Sequence, residues 1–134
     1  MPSEVFWLPV EEVIALNNDL VAETGEPFGV LDHGALESAC GRPRQHWAYG
    51  DGDILTAAVA LMFGIAQRHP FIQGNKRTGF VALVMLLELN GYILDADLDD
   101  EGLAEVVLSV LAHEMNEADF VEYLRPSIIE MISA

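Results

Sequence analysis

One run of the chain, His69-Pro70-Phe71-Ile72-Gln73-Gly74-Asn75-Lys76-Arg77-Thr78-Gly79, brings an imidazole, a glycine turn and two adjacent cations to what reads as the start of a helix. Gly74 permits tight backbone geometry and the close approach of a ligand, and Asn75 is a good cap for the apolar stretch 80–89 that follows. A helix is therefore expected to begin at Asn75 or Lys76. Its first N–H groups have no partner within the helix and its dipole is positive at that end, so an anion, above all a phosphate, is stabilised there. Lys76 adds a point charge, and Arg77 a planar fork that can take phosphate oxygens two at a time. His69, upstream of the turn, can accept a proton from an attacking hydroxyl near neutral pH. A lone histidine is more often structural, and a cationic pair at a helix start is more often a solvated surface. The conjunction is what points to a site. It is not a P-loop, because residues 74–78 lack the earlier glycine spacing and the adjacent Lys-Ser/Thr pair.

The elements that must hold this turn follow from periodicity. Pro9 suits a helix start, and Val10, Val13, Ile14, Leu16, Leu20 and Val21 form an apolar stripe that should end near Thr24 and Gly25. A short second helix is expected over residues 33–40, capped by Asp32 and closed by Gly41. Residues 41–52 carry Gly, Pro, Arg and two aromatics without helical period and read as a loop, whose Arg42 and Arg44 could lie over the anion site as a flap. Asp53 can cap a third helix reaching about Arg68, apolar around most of its circumference and therefore buried. His69-Pro70 ends it, since proline disfavours helical geometry in the residue before it. The fourth helix runs from about residue 75 to 90 and is closed by Gly91. A hairpin of two buried helices thus carries the motif at its turn, a rigid place for catalytic groups.

Farther on, the acidic residues Asp95, Asp97, Asp99, Asp100 and Glu101 lack the glycine and terminal glutamate spacing of a calcium loop and read as a solvated turn. A fifth helix is expected over residues 102–114, a short sixth after the cap Asn116, and a seventh from Pro126 toward residue 132. His33, His46 and His113 sit in no ligand pattern and read as structural or exposed.

At 134 residues the chain is expected to be a single domain over 1–134, burying roughly two thirds of its unfolded surface in one core. Hydrophobic residues are 51 % of it, rich in Ala, Leu, Val and Ile, which suits a compact all-α protein. The sole cysteine, Cys40, cannot form an internal disulfide and no signal segment opens the chain, so a cytoplasmic location is expected. The apolar runs 57–66 and 80–87 fall well short of the roughly 20 residues that span a bilayer, so no membrane role is expected. With 22 acidic against 6 basic side chains the net charge is −16, which disfavours direct nucleic-acid binding. Five of the six cations, Arg42, Arg44, Arg68, Lys76 and Arg77, fall between residues 42 and 77. Either they pair with nearby acids such as Asp51 and Asp53, or they form an anion site, and the second reading is preferred.

The motif resembles the signature of the Fic/Doc family, and specifically its Doc, or death-on-curing, branch. The similarity extends from Leu8-Pro9-Val10-Glu11-Glu12 through Leu36-Glu37-Ser38-Ala39 and Arg42-Pro43 to Leu87-Glu88-Leu89-Asn90-Gly91-Tyr92. AMP-transferring Fic proteins resemble His-x-Phe-x-(Asp/Glu)-Gly-Asn-Gly-Arg-x-x-Arg, whereas here Lys76 replaces a glycine and Phe80 the last arginine. Those differences point to the Doc branch. The resemblance implies an all-helical Fic fold and a toxin of a type II toxin–antitoxin system. It implies a kinase reaction in which the ATP γ-phosphate passes to a threonine hydroxyl of elongation factor Tu, stopping protein synthesis. It also implies a cognate antitoxin, Phd-like or another small DNA-binding protein. Carried over by position, His69 would be the general base, Gly74 would give the turn, Asn75, Lys76 and Arg77 would hold nucleotide phosphates, and Phe71 would pack beneath the loop. Gln73 departs from the family, which places Asp, Glu or sometimes Asn there, the carboxylate coordinating Mg²⁺. An amide oxygen can ligate magnesium but brings no charge. Two alternatives stay open: transfer of AMP instead of phosphate, and a catalytically weak binding module.

Overall fold

Pro9 opens the first helix, α1 (Val10–Glu23), by lending its carbonyl to the N–H groups of Glu12 and Val13 at 3.0 and 3.3 Å. The computed structural model describes residues 5–49, 52–95, 107, 109–110, 112 and 114–131. Val13, Asn17 and Val21, spaced four apart, form the buried stripe of α1. The helix ends as expected at Thr24, with Gly25 at φ 71° and its N–H on the carbonyl of Ala22.

Asp32 caps α2 (His33–Tyr49) by accepting the N–H of Ala35 at 3.0 Å. This helix does not stop at residue 40. The expected loop over residues 41–49 is helical, and Gly41 and Pro43 lie inside it. Both residues weaken a helix locally, and proline removes one ladder bond. Packing outweighs them: Pro43 is buried, Arg42 donates to the Ala60 carbonyl of the next helix at 2.7 Å, and Trp47 meets Trp7 edge-on with ring centroids 6.2 Å apart.

The hairpin of α3 (Ile54–Arg68) and α4 (Asn75–Leu89) forms as the periodicity predicts. Asp53 caps α3 twice, accepting from the Leu55 N–H at 3.1 Å and the Thr56 hydroxyl at 2.8 Å. Every residue from Ile54 to Ala66 except Thr56 is buried, which makes α3 the axis of the core. Helices α2 and α4 flank it, and the buried Phe71, Leu83, Leu86, Leu87, Phe120 and Leu124 fill the space between elements. At Gly79 a Cβ would stand 2.9 Å from the Met62 carbonyl oxygen, so the close approach of α4 to α3 requires glycine.

Gly91, at φ 88°, turns the chain into β1 (Tyr92–Leu94), which pairs antiparallel with β2 (Ile128–Glu130) in the register Tyr92↔Glu130, Ile93↔Ile129, Leu94↔Ile128. Between them, Asn116 caps α5 (Glu117–Leu124) as expected, accepting the Asp119 N–H at 2.8 Å. The helix expected from Pro126 is absent. A 3₁₀ turn (Arg125–Ser127) holds that proline, and Ile128 and Ile129 go into the strand. β-branched residues favour a sheet once a partner strand is in reach. The fold is thus all-α with one small two-stranded sheet. The helix expected over residues 102–114 and the acidic stretch after Asp95 lie largely outside the described residues; Val107, Ser109 and Val110 within them are helical. Among the described residues no helix is long and apolar enough to cross a membrane.

Candidate active site at the α3–α4 turn

His69 closes α3 in the left-handed conformation (φ 50°, ψ 55°), the only non-glycine residue with positive φ among the described residues. Such a conformation costs of the order of 1–3 kcal/mol and persists only where its surroundings over-determine it. They do so here. Pro70, which follows, is buried, and its carbonyl accepts the N–H groups of Leu31 and Asp32 at 2.7 and 3.2 Å. Val30 bridges Phe71, and the Ile72 N–H reaches the Gly29 carbonyl at 2.9 Å. The extended segment ahead of α2 therefore clamps the turn, and the buried Phe71 ring anchors it from below. The His69 side chain is exposed and makes no hydrogen bond among the described residues, which leaves its imidazole nitrogens open to a ligand.

Asn75 departs from the cap role expected of it. The cap position is held by Gly74, at φ 77° and ψ 16°, and Asn75 is the first helical residue. Its amide reaches back instead, accepting the Phe71 N–H and donating to the Phe71 carbonyl, both at 2.9 Å. A cap residue needs non-helical backbone angles, and the left-handed ones required here suit glycine. A Cβ on Gly74 would also stand 3.0 Å from Val21 Cγ1 and 3.2 Å from Asn17 Nδ2. The side chain of Asn75 is thus engaged within the turn, and its backbone N–H is what it can offer an anion.

That N–H has company. A left-handed residue followed by a right-handed one turns successive N–H groups to one side, forming a concave anion nest. The N–H groups of Gly74, Asn75, Lys76 and Arg77 have no acceptor among the described residues, and intrahelical bonding begins with the Thr78 N–H on the Gly74 carbonyl at 2.8 Å. Lys76 is exposed without an ion pair among the described residues, whereas Arg77 pairs with Glu26 and lies 3.4 Å from the Thr24 hydroxyl. Glu26 also accepts from Thr24, and that hydroxyl together with the Arg77 guanidinium holds its carboxyl below the usual carboxylate range. Glu26, His69, Ile72, Gln73, Gly74, Asn75, Lys76 and Arg77 line one open cleft of about 330 Å³. The Gln73 side chain is exposed in it and makes no hydrogen bond among the described residues.

Arg42 and Arg44 do not form a loop flap. They lie on α2, where Arg42 is fixed by the Ala60 carbonyl and by Glu117 at 2.8 Å, and neither lines the cleft. The cation cluster in the sequence therefore divides between structural and site roles. Asp53 pairs with Arg125, from outside that cluster, at 2.6 Å. A larger cleft of about 740 Å³ at the opposite end of the α3–α4 hairpin contains none of the motif. Sequence reasoning missed two groups at the site, Glu26 and Asn17. Asn17 carries a detectable signal, a polar residue in the buried stripe of α1, while nothing near Glu26 announces its partner.

The turn, with α3 and all but the last two residues of α4, falls within residues 7–87, the stretch that matches the Fic/DOC family. The chain belongs to that family. It is 32 % identical over 111 residues to a protein named Toxin Doc from Mycolicibacterium smegmatis, covering 81 % of this chain and 82 % of that one. It is 27 % identical over 116 residues to Protein kinase doc of Escherichia phage P1, covering 86 % of this chain and 90 % of that one. In this Fic/DOC protein the candidate site is a left-handed histidine that lines one cleft with a nest of unpartnered amides. Phosphates fit it: the nest, Lys76 and Arg77 are anion donors. For a magnesium ion the cleft offers the neutral Gln73 amide and the Glu26 carboxylate, which is paired with Arg77, so most of its ligands would be phosphate oxygens and water.

Proposed function

We propose that this chain is a Doc-type toxin of a type II toxin–antitoxin system, one that transfers the γ-phosphate of ATP to a threonine hydroxyl of elongation factor Tu and so arrests translation. The reading is carried by one observation, the sharing of a single cleft by the unpartnered His69 imidazole and the amides of Gly74, Asn75 and Lys76. The names of the two relatives support the toxin and kinase parts of it. His69 takes the proton of the threonine hydroxyl as its oxygen attacks the γ-phosphorus. The new O–P bond forms as the bond to the β-phosphate oxygen breaks and ADP leaves. The nest and Lys76 hold the phosphate oxygens in line, and Arg77 joins them once it exchanges Glu26 for phosphate. Magnesium, when bound with the nucleotide, neutralises phosphate charge, and Gln73 offers it a neutral amide oxygen.

A cognate antitoxin with a basic segment, Phd-like or another small DNA-binding protein, suits a partner of net charge −16 and would cover the cleft. The neutral Gln73 and the engagement of Arg77 by Glu26 favour one second reading, a family member that binds nucleotide with little turnover. Intact mass spectrometry of elongation factor Tu incubated with the protein, ATP and Mg²⁺ tests both. A gain of one phosphate supports the proposal, a gain of one nucleotide replaces it with AMP transfer, and an unmodified target despite nucleotide binding supports the second reading.

A further inference from the structure

We infer that Asn17 is the positioning residue that aims the anion-binding amides of the motif; what those amides then bind rests on the phosphate-site reading above. Asn17 is fully buried in the α1 stripe between Val13 and Val21, where packing alone calls for an apolar side chain. Its Nδ2 donates to the Gln73 carbonyl at 2.8 Å and to the Thr78 hydroxyl at 3.0 Å, while its Oδ1 is buried without a partner. An orphaned buried acceptor is destabilising, so an amide here is explained by what its NH₂ holds. Only that end of the amide can donate to a carbonyl, which sets its orientation.

The Gln73 carbonyl is thereby drawn toward α1 and the protein interior. In a planar trans peptide the carbonyl and the next N–H point in opposite directions. The Gly74 N–H is consequently turned away from α1, toward the cleft where the Asn75 and Lys76 amides are also free. A Cβ on Gly74 would stand 3.2 Å from Nδ2, so it is glycine that lets this peptide lie so close to the Asn17 amide. The second bond, to Thr78, ties the same side chain to the first turn of α4.

The test compares ¹⁵N relaxation of the Gly74 amide with binding of inorganic phosphate and of adenosine. In the wild type the Gly74 order parameter should be that of rigid backbone, about 0.85, and in Asn17→Leu it should fall below about 0.6 while the helix interiors stay rigid. Phosphate should bind Asn17→Leu about tenfold more weakly, with adenosine unaffected. Asn17→Asp supplies the conservative rescue: the neutral carboxyl donates to the Gln73 carbonyl and the carboxylate cannot. Gly74 should therefore stiffen as pH falls through that aspartate's pKa, and this comparison carries the test if Asn17→Leu does not fold. Thr78→Val keeps the Gln73 bond, and Gly74 should stay ordered in it even as the melting temperature drops. The inference is overturned if Gly74 stays rigid in folded Asn17→Leu, if Asn17→Asp shows no pH dependence, or if Thr78→Val loosens Gly74 equally. Absence of phosphate and ATP binding in the wild type would defeat the phosphotransferase reading instead, since Gly74 order decides the role of Asn17 without any ligand.

Discussion

Replacing Asn75 with alanine separates two roles that the motif alone does not distinguish. As a staple, Asn75 joins its first helical turn to Phe71 through two buried hydrogen bonds of 2.9 Å and is itself only 9 % exposed. Alanine leaves the Phe71 N–H and carbonyl buried without those partners, at about 1–3 kcal/mol for each group. Partial relaxation brings the expected loss to about 2–4 kcal/mol, and at about 4 °C per kcal/mol for a chain of this size the melting temperature should drop by roughly 8–16 °C. Asn75→Asp should fall between wild type and Asn75→Ala, because its carboxylate still accepts from the Phe71 N–H but faces the Phe71 carbonyl with no donor. The assay is thermal unfolding by circular dichroism alongside calorimetric titration with ATP. A folded Asn75→Ala that melts within 2 °C of wild type (about half a kcal/mol) yet loses ATP affinity would refute the reasoning and make the side chain a phosphate ligand.

The remaining predictions concern charges at and away from the site. Glu26→Gln releases Arg77 from its carboxylate, and ATP should bind more tightly while adenosine does not; equal affinities before and after would show that the pair does not compete with phosphate. Gln73→Asp should raise Mg²⁺-dependent transfer about tenfold, equivalent to roughly 1.4 kcal/mol of barrier, in a magnesium titration at fixed ATP; slower transfer would show that Gln73 is not a weakened metal ligand. Burial pushes the Asp53 carboxyl up, but bonds from Arg125, Thr56 and the Leu55 N–H more than offset this and hold it below its ordinary value. A depressed folded pKa contributes stability above the unfolded pKa near 3.8 and loses it as pH falls through the folded one. Asp53→Asn should therefore lower the melting temperature at pH 7 and flatten its decline below about pH 4, and an unchanged acid limb would count against the pairing.

The α3–α4 hairpin was legible because its signals are local: the Asp53 cap, a helix apolar all round, the break at His69-Pro70 and the glycine at 74. The second half of α2 was not, since Gly41 and Pro43 advertise a break that contacts to Ala60 and Trp7 override. Nor was the strand at 128–130, whose partner is Tyr92–Leu94 and whose local cue, Pro126, equally well starts a helix. At the site, His69 and the glycine turn stood out by type and spacing. The true use of Asn75 depended on which residue takes the left-handed cap. Asn17 and Glu26 act on residues 56 and 51 positions away, so their roles exist only once α1 is packed beside the turn.

The most direct measurement of the central claim is label transfer to purified elongation factor Tu from ATP labelled at the γ- or the α-phosphorus, by wild type and by folded His69→Ala. The wild type should transfer γ-label alone, and the rate in His69→Ala should be lower by at least about 10² to 10⁴. Transfer of α-label, or an undiminished rate without the imidazole, would contradict the claim.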